Sequence, residues 1–153
     1  MDRLTDDEAR LWHAWKRASE TVRARIAEDI SAATGLSDPD YGILTRLEDL
    51  GGGTLRQNEL AASMGWHRSR LSHQLTRMEQ RGLVTRAAAG DGVAVSVTAA
   101  GRDAAAKARP VHAAAVRRHL TRHVPPQRLG EFTALLHRLA GTECDPPDGA
   151  VRQ

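Results

Sequence analysis

The sequence contains few aromatic residues and only one cysteine. Three Trp, one Tyr and one Phe make up 3% of its 153 residues. The single Cys144 excludes a disulfide framework or a cysteine-based metal cluster within one chain. No apolar run approaches the roughly 18 residues of a membrane-spanning helix, and the N-terminal residues lack the apolar segment of a secretory signal. We therefore expect a cytoplasmic protein with no membrane partner.

Motifs that are typical of enzymes are missing as well. The sequence has no nucleophile elbow, no glycine-rich phosphate loop ending in Gly-Lys-Ser/Thr, and no histidine and acid pair on adjacent elements. The glycines at 51–53 follow a predicted helix and are expected to form a turn. We expect a protein that is not an enzyme and that carries no cofactor.

Positive charge is concentrated in one segment of the chain. The whole sequence has 22 Lys and Arg against 19 Asp and Glu, which gives a formal charge of +3. Residues 65–86 alone carry five arginines against one acid, Glu79, a charge of +4. This distribution, more than the total charge, favours an acidic partner such as a nucleic acid.

Helical spacing of apolar residues covers most of the chain. Thr5 and Glu8 have the pattern of a capping box, and apolar residues then recur at helical spacing as far as Gly35. Part of this long apolar stripe is expected to contact another subunit. Further helices are predicted over about 37–51, 57–64, 67–81, 99–123 and 129–139.

Two short segments alternate with a period of two residues instead. Residues 83–86 and 93–97 have the pattern of β-strands, and two glycines lie in the segment between them, which predicts a β-hairpin. The order of helix, glycine turn, helix and hairpin is that of a winged helix-turn-helix. The expected fold class is therefore mainly α with a small β-hairpin wing.

The helix predicted over 67–81 has one apolar and one polar face. Leu71, Leu75 and Met78 form the apolar face, which is expected to be buried. The polar face carries Arg68, Ser69, Arg70, His73, Gln74 and Arg77. A duplex major groove admits one helix, and arginine binds guanine O6 and N7 through two hydrogen bonds. We interpret these six residues as DNA contacts; a solvated helix face is the alternative.

The segment "ELAASMGWHRSRLSHQLTRMEQRGLVTR", followed by a hairpin and "VTAAGR", resembles the MarR family of winged-helix transcriptional regulators. The likeness extends over nearly the whole chain. It implies a homodimer whose N- and C-terminal helices interlock and whose two winged lobes read a pseudo-palindromic operator in double-stranded DNA. It also implies a repressor that a small aromatic or phenolic effector, or an oxidant, releases from DNA.

The resemblance implies a division of the chain into three parts. A winged helix-turn-helix DNA-binding lobe is expected over 37–98, a helical dimerisation region over 1–36 and 99–143, and a disordered tail over 144–153. Apolar residues of the first and last helices are the interface candidates: Leu11, Trp15, Ala18, Leu129, Phe132, Leu136 and Leu139. An intramolecular core is the alternative for these residues.

The predicted wing departs from the family pattern. Family members usually carry an acidic residue and an arginine at the wing tip, and that arginine enters the minor groove. Here Asp91 is present, but Gly92 and Val93 stand where the arginine is expected. Arg86 at the hairpin base is the only wing arginine, and we expect it, like Arg68, to contact a phosphate. Because the wing tip lacks this arginine, an alternative stays open: a winged-helix protein with weakened DNA binding that acts through a ligand, zinc or a partner.

The resemblance also implies an effector site between the dimerisation helices and the DNA-binding lobe. The residues expected to line it are Trp12, Trp15, Tyr41, Leu44 and His112. The two tryptophans offer flat apolar walls to a planar molecule. Plain packing is the alternative for each of the five residues.

Zinc and oxidation are two other possible modes of regulation. His119 and His123 stand four residues apart on a predicted helix, a spacing that allows them to share a metal ion. Arginines surround them in the sequence, and a solvated helix face is the preferred interpretation, so no metal site is predicted. Cys144 has acidic neighbours on both sides, which disfavour the reactive thiolate.

Overall fold

The structure is a computed structural model and describes residues 3–142. Its helices and strands are α1 (Asp6–Thr34), α2 (Asp38–Gly51), β1 (Thr54–Arg56), α3 (Gln57–Met64), α4 (Arg68–Gln80), β2 (Val84–Ala89), β3 (Gly92–Val97), α5 (Ala99–His119) and α6 (Leu129–Ala140). The predicted fold class, mainly α with a small β-hairpin wing, is confirmed. The expected disordered tail over 144–153, with Cys144, lies outside the described residues.

The helix ends follow local signals in the sequence. At the start of α1 the Thr5 N–H donates to Glu8 Oε2 at 2.7 Å and the Glu8 N–H donates to Thr5 Oγ1 at 3.3 Å, which is the predicted capping box. Gly35 ends this helix with a φ of 73°. A second capping box, between Ser37 and Asp40, begins α2.

The wing is the hairpin of β2 and β3, and β1 pairs with the other edge of β3. Both pairings are antiparallel, and their register places Leu55 and Arg86 on opposite sides of Val95. The three residues of β1 are too few to predict a strand from the sequence alone. Their partner strand, β3, also lies far along the chain, after α3, α4 and β2.

The core lies between the sheet and α2, α3, α4 and α5. Leu71, Leu75 and Met78 of α4 are fully buried, as the apolar stripe predicted. They belong to one buried cluster with Ile30, Ile43, Leu44, Leu47, Leu60, Val84 and Val95. Each buried aliphatic side chain of this kind contributes about 1.5–3 kcal/mol to folding. The cluster therefore anchors α4 firmly by one face and leaves its other face outward.

Helices α1 and α6 carry most of the large apolar side chains that the core does not bury. α1 packs along α5, yet Leu11 near its N-terminus is 72% exposed, and Trp12 and Trp15 are exposed as well. α6 buries none of its residues, and Leu139 is 73% exposed. None of the helices in the described part of the chain combines the length and apolar character needed to cross a membrane.

The end of α5 differs from the prediction. A helix was expected to continue to residue 123, but α5 ends at His119 because Leu120 leaves the helical conformation, with φ −129° and ψ −71°. Residues Thr121–His123 and Pro126–Arg128 form short 3₁₀ turns that lead into α6. Pro125 and Pro126, which follow the first of these turns, keep the chain from resuming an α-helix before α6.

Candidate nucleic-acid interface

The helix-turn-helix consists of α3, the turn at Gly65 and α4. Gly65 has a φ of 64°, a left-handed conformation that favours glycine. The Trp66 N–H donates to the carbonyl of Ala61 at 3.0 Å, and Ala61 is buried at this junction. The close turn aims α4 across the lobe with its apolar stripe inward.

Five of the six residues predicted to face DNA are exposed on α4: Arg68, Ser69, Arg70, His73 and Arg77. Within residues 3–142, no carboxylate lies at ion-pair distance from Arg68, Arg70 or Arg77. Their positive charges are therefore not neutralised inside the lobe. The outward face of α4 is cationic, as the sequence predicted.

Gln74 is the exception, and its predicted place on the open face is wrong. Its side chain is only 6% exposed, and its Nε2 donates to Asp40 Oδ1 at 2.8 Å. Gln74 stands three residues after Leu71 and four before Met78, so it borders the buried stripe and turns toward α2. Its amide is engaged there and is not free to meet a base.

Asp40 is a buried acid whose partners on α4 were not predicted from the sequence. Its buried carboxylate accepts hydrogen bonds from the Ser37 N–H at 2.9 Å, from Gln74, and from Arg81 Nη1 at 2.6 Å. Arg81 also donates to the carbonyl of Gly35 at 3.3 Å. A buried charge is tolerated only when it is paired and hydrogen-bonded, as here. Asp40 thus joins the start of α2 to α4.

Two arginines of the open face are held by neighbouring side chains. Arg77 Nη2 donates to Gln74 Oε1, so the Asp40–Gln74 contact extends to the surface through this bond. The Arg70 guanidinium lies 3.8 Å from the ring centre of Trp66, a cation–π contact. Both contacts reduce the freedom of long side chains before any ligand arrives.

Arg86 does not occupy the open position expected of it. Its Nε and Nη2 donate to Glu79 Oε1 at 2.9 and 2.6 Å, and Nη2 also donates to Thr76 Oγ1 at 2.9 Å. Arg86 is therefore held in an internal ion pair, because β2 runs beside α4 and brings Arg86 against Glu79. This pair links the wing to α4.

The five residues expected to line an effector site are not brought together. Tyr41 and His112 do meet, with ring centres 4.9 Å apart. Leu44 is fully buried in the core, and Trp12 and Trp15 are exposed on the N-terminal half of α1. The helical rise of 1.5 Å per residue separates these tryptophans from the crevice beside Tyr41 by more than about 10 Å. Within one protomer the two tryptophans therefore do not share a pocket with Tyr41.

A crevice of about 740 Å³ opens beside Tyr41 and His112. Its walls come from α1, α2, α5 and the start of α4, and they include Arg23, Ile26, Trp66, Arg70 and Arg109. Trp66, which lines the crevice directly after the turn glycine, was not predicted from the sequence to do so. The crevice has flat aromatic walls and several cations, and it reaches Arg70 of the open face.

Charges beside the crevice affect its titratable groups. Arg109 donates to Glu48 Oε2 at 3.0 Å and to Asp49 Oδ1 at 2.7 Å, and these bonds raise the pKa of Arg109. Burial raises the pKa of the Tyr41 phenol above its ordinary value, and the positive charge of Arg109 opposes that rise. Tyr41 therefore faces the crevice as a neutral phenol at neutral pH.

The two histidines considered for zinc are not paired. His119 Nε2 lies 2.8 Å from Asp29 Oδ2, which Arg118 also contacts at 3.1 Å. His123 stands in the 3₁₀ turn after α5, so the two histidines do not share one helix face. Among residues 3–142, no group of three His, Cys, Asp or Glu is placed to hold a metal ion.

A helix-turn-helix with an attached wing and a cationic helix face defines a winged-helix DNA-binding protein. The MarR family model matches residues 34–92. The chain is 32% identical to AbsC, a MarR family transcriptional regulator from Streptomyces coelicolor, with a TM-score of 0.85 over 92% of this chain and 97% of that one. The chain belongs to the MarR family, whose members are transcriptional regulators and not enzymes.

Two further solved structures are similar to this chain. Sco3205, a MarR family transcriptional regulator from Streptomyces coelicolor in complex with DNA, is 25% identical, with a TM-score of 0.85 over 92% of this chain and 89% of that one. The organohalide-sensing regulator RdhR-CbdbA1625, in its 2,4-dichlorophenol-bound form, is 18% identical, with a TM-score of 0.77 over 96% and 92%, and so shares the fold. No match was found among curated proteins.

Proposed function

We propose that this regulator is a homodimeric repressor that reads a pseudo-palindromic operator by inserting α4 of each protomer into the major groove. The observation that carries the proposal is the outward face of α4, where Arg68, Arg70 and Arg77 have no carboxylate partner within the described residues. Ser69 and His73 add hydrogen-bonding groups to the same exposed face. The DNA complex of the similar protein Sco3205 supports this use of the fold.

Within that face we assign base recognition to Arg70 and Arg77. Trp66 holds one guanidinium and Gln74 holds the other, so each presents its remaining donors from a restrained side chain. A guanidinium binds guanine O6 and N7 through two parallel hydrogen bonds, each such pair contributing about 1–3 kcal/mol of discrimination. Arg68, at the first position of α4, is assigned to the phosphate backbone.

Dimerisation would bury the exposed apolar faces of α1 and α6. These faces flank a cleft of about 540 Å³, whose lining includes Val22, Leu120, Val124, Phe132 and Leu135. We assign 1–36 and 99–143 to the dimerisation region and 37–98 to the DNA-binding lobe. Two-fold symmetry would then set the two α4 helices about 34–36 Å apart, one turn of DNA.

A planar aromatic effector in the crevice beside Tyr41 would relieve repression. Such a molecule would stack on Trp66 or Tyr41, and an anionic group on it would pair with the arginines of the crevice. Because Arg70 contacts Trp66, a ligand there competes with the contact that orients Arg70 for DNA. The dichlorophenol complex of the fold relative RdhR-CbdbA1625 supports a phenolic ligand class.

Binding to DNA from upstream of the protein's own gene, compared with random DNA at physiological salt, tests the DNA-reading proposal. Arg70→Ala and Arg77→Ala are expected to lose preference for operator, and Arg25→Ala, an exposed arginine on α1, is the matched control. Equal losses on operator and random DNA would contradict the assignment of base recognition. No binding by the wild-type protein would favour the alternative of a ligand- or partner-binding module.

The effector proposal is tested through tryptophan fluorescence with a panel of phenols. Trp66→Phe keeps the exposed Trp12 and Trp15 but removes the tryptophan at the crevice. We expect the fluorescence of the wild type, and not of this variant, to respond to a phenol that also releases DNA. A response that persists unchanged in Trp66→Phe would place the ligand elsewhere.

A further inference from the structure

Arg56, the last residue of β1, extends beside the wing. It pairs with Ala94 of β3, three residues from Asp91 at the wing tip. Its side chain is 50% exposed, and its Nη1 lies 3.6 Å from Asp91 Oδ1. An arginine from outside the hairpin therefore stands at the tip where the hairpin itself has none.

The tip glycines leave room for this guanidinium. A Cβ atom at Gly92 would lie 3.1 Å from Arg56 Nη1, and one at Gly90 would lie 3.5 Å from Nη2. The first distance is tighter than an ordinary van der Waals contact, so a side chain at Gly92 would push Arg56 aside. The glycine that replaces the expected tip arginine is thus also the residue that admits Arg56.

Arg56 shares a small crevice with the start of α4. The crevice has a volume of about 180 Å³, and its lining includes Asn58, Arg68 and Asp91. Two guanidiniums and two amides line the crevice with one carboxylate, so the crevice is positively charged overall. It lies between the wing and the first residue of α4, where a DNA strand would pass if α4 occupied the major groove.

We propose that Arg56 supplies the wing's missing contact with DNA, by binding, together with Arg68, one phosphate of the backbone between wing and groove. Guanidinium groups bind phosphate oxygens through paired, charge-assisted hydrogen bonds. The present partner of Arg56 is a fully exposed carboxylate at a long distance, and exposed ion pairs of this kind contribute little to stability. Arg56 can exchange Asp91 for a phosphate at small cost. This inference rests on the proposed function of α4.

Salt dependence of DNA binding tests the inference. Each phosphate contact contributes a slope of about 0.9 to the fall of log affinity with log salt concentration, so the two symmetry-related contacts of a homodimer contribute about 1.8, which at 0.15 M salt corresponds to about thirtyfold in affinity. Arg56→Ala is expected to lose part of that slope and of that affinity on operator and random DNA alike, because Arg68 still reaches the same phosphate. Arg56→Lys is expected to keep the slope and lose part of the affinity, since lysine keeps the charge without the paired donors.

Two further variants sharpen the test. Asp91→Asn is expected to tighten binding, because it removes a carboxylate that competes with the phosphate; weaker binding would contradict that competition. Arg25→Ala removes one exposed charge away from the wing and is expected to match the wild type. Thermal melting checks that each variant is folded.

The inference and the proposed function fail in different ways. If Arg56→Ala keeps the wild-type slope and affinity while Arg70→Ala loses operator preference, the inference is wrong and the function of α4 stands. If the wild-type protein binds no DNA, the proposed function fails, and the inference fails with it.

Discussion

Replacing Asp40 with alanine tests the contact on which the position of α4 depends. The Asp40 carboxylate is almost completely buried and accepts hydrogen bonds from the backbone of Ser37 and from the side chains of Gln74 and Arg81. Asp40→Ala removes the carboxylate that accepts all three bonds. The change therefore acts on the start of α2 and on α4 together.

The expected cost follows from the groups that the change leaves without partners. Loss of the capping interaction at the start of α2 costs about 1 kcal/mol. The buried Gln74 amide loses its acceptor, which costs about 1–3 kcal/mol. The Arg81 side chain is 45% exposed and regains water, so its pair adds little. The free energy of unfolding is expected to fall by about 2–4 kcal/mol.

Urea unfolding at one fixed protein concentration measures this loss, since unfolding of a dimer depends on concentration. With a slope of about 2 kcal/mol per M, the midpoint is expected to fall by roughly 1–2 M. Asp38→Ala is the matched control, because Asp38 is an exposed acid in the same first turn of α2. Asp38→Ala is expected to lose only the favourable interaction of that acid with the helix dipole, about 0.3–1 kcal/mol.

A second measurement separates the effect on stability from the effect on DNA reading. Gln74 holds Arg77, so folded Asp40→Ala protein is expected to lose operator preference in the same direction as Arg77→Ala. If the urea midpoints of the Asp40→Ala and Asp38→Ala variants coincide, the buried network does not stabilise the lobe.

Two further predictions concern titration and assembly. Tyr41 is the only tyrosine of the sequence, so its pKa is read directly from ultraviolet absorbance. Because burial raises this pKa in the folded state, the stability that the buried neutral phenol contributes is fully present below about pH 10 and is lost as pH rises through the folded-state pKa. A pKa of Tyr41 at or below the ordinary value would contradict the burial. Leu139→Arg is expected to lower the molar mass in analytical ultracentrifugation with helix content unchanged. Leu50→Arg, at a leucine of α2 that is also largely exposed, is expected to leave the assembly intact. A dimer that survives Leu139→Arg would exclude α6 as its main interface.

Local signals in the sequence were sufficient to predict most of the fold. The capping pattern of Thr5 and Glu8 and the stop at Gly35 fix the ends of α1 through contacts within four residues. Gly65 similarly marks the turn before α4. Each of these features depends on contacts between residues that are close in the sequence, so it can be predicted from the local sequence pattern.

Contacts between segments that are far apart in the sequence were either not predicted or predicted wrongly. Gln74 was expected to be exposed, but its partner Asp40 lies on another helix. Arg86 was expected to contact a phosphate, and its pairing with Glu79, which results from the packing of β2 on α4, was not predicted. Tertiary packing decides such pairings, and helical periodicity alone does not contain them.

The same packing decides which arginines of the basic segment remain available for DNA. Of its five arginines, Arg81 pairs with Asp40 and Arg86 pairs with Glu79, so the two acids neutralise two of the positive charges. The other three arginines stand together on the outward face of α4. A count of charges along the sequence includes all five arginines alike. The three arginines of α4 that have no carboxylate partner within the described part of the chain are the ones that can release their counterions and bind phosphates without first breaking an ion pair. The electrostatic attraction to DNA therefore depends less on the number of basic residues in the segment than on which of them form ion pairs with Asp40 and Glu79.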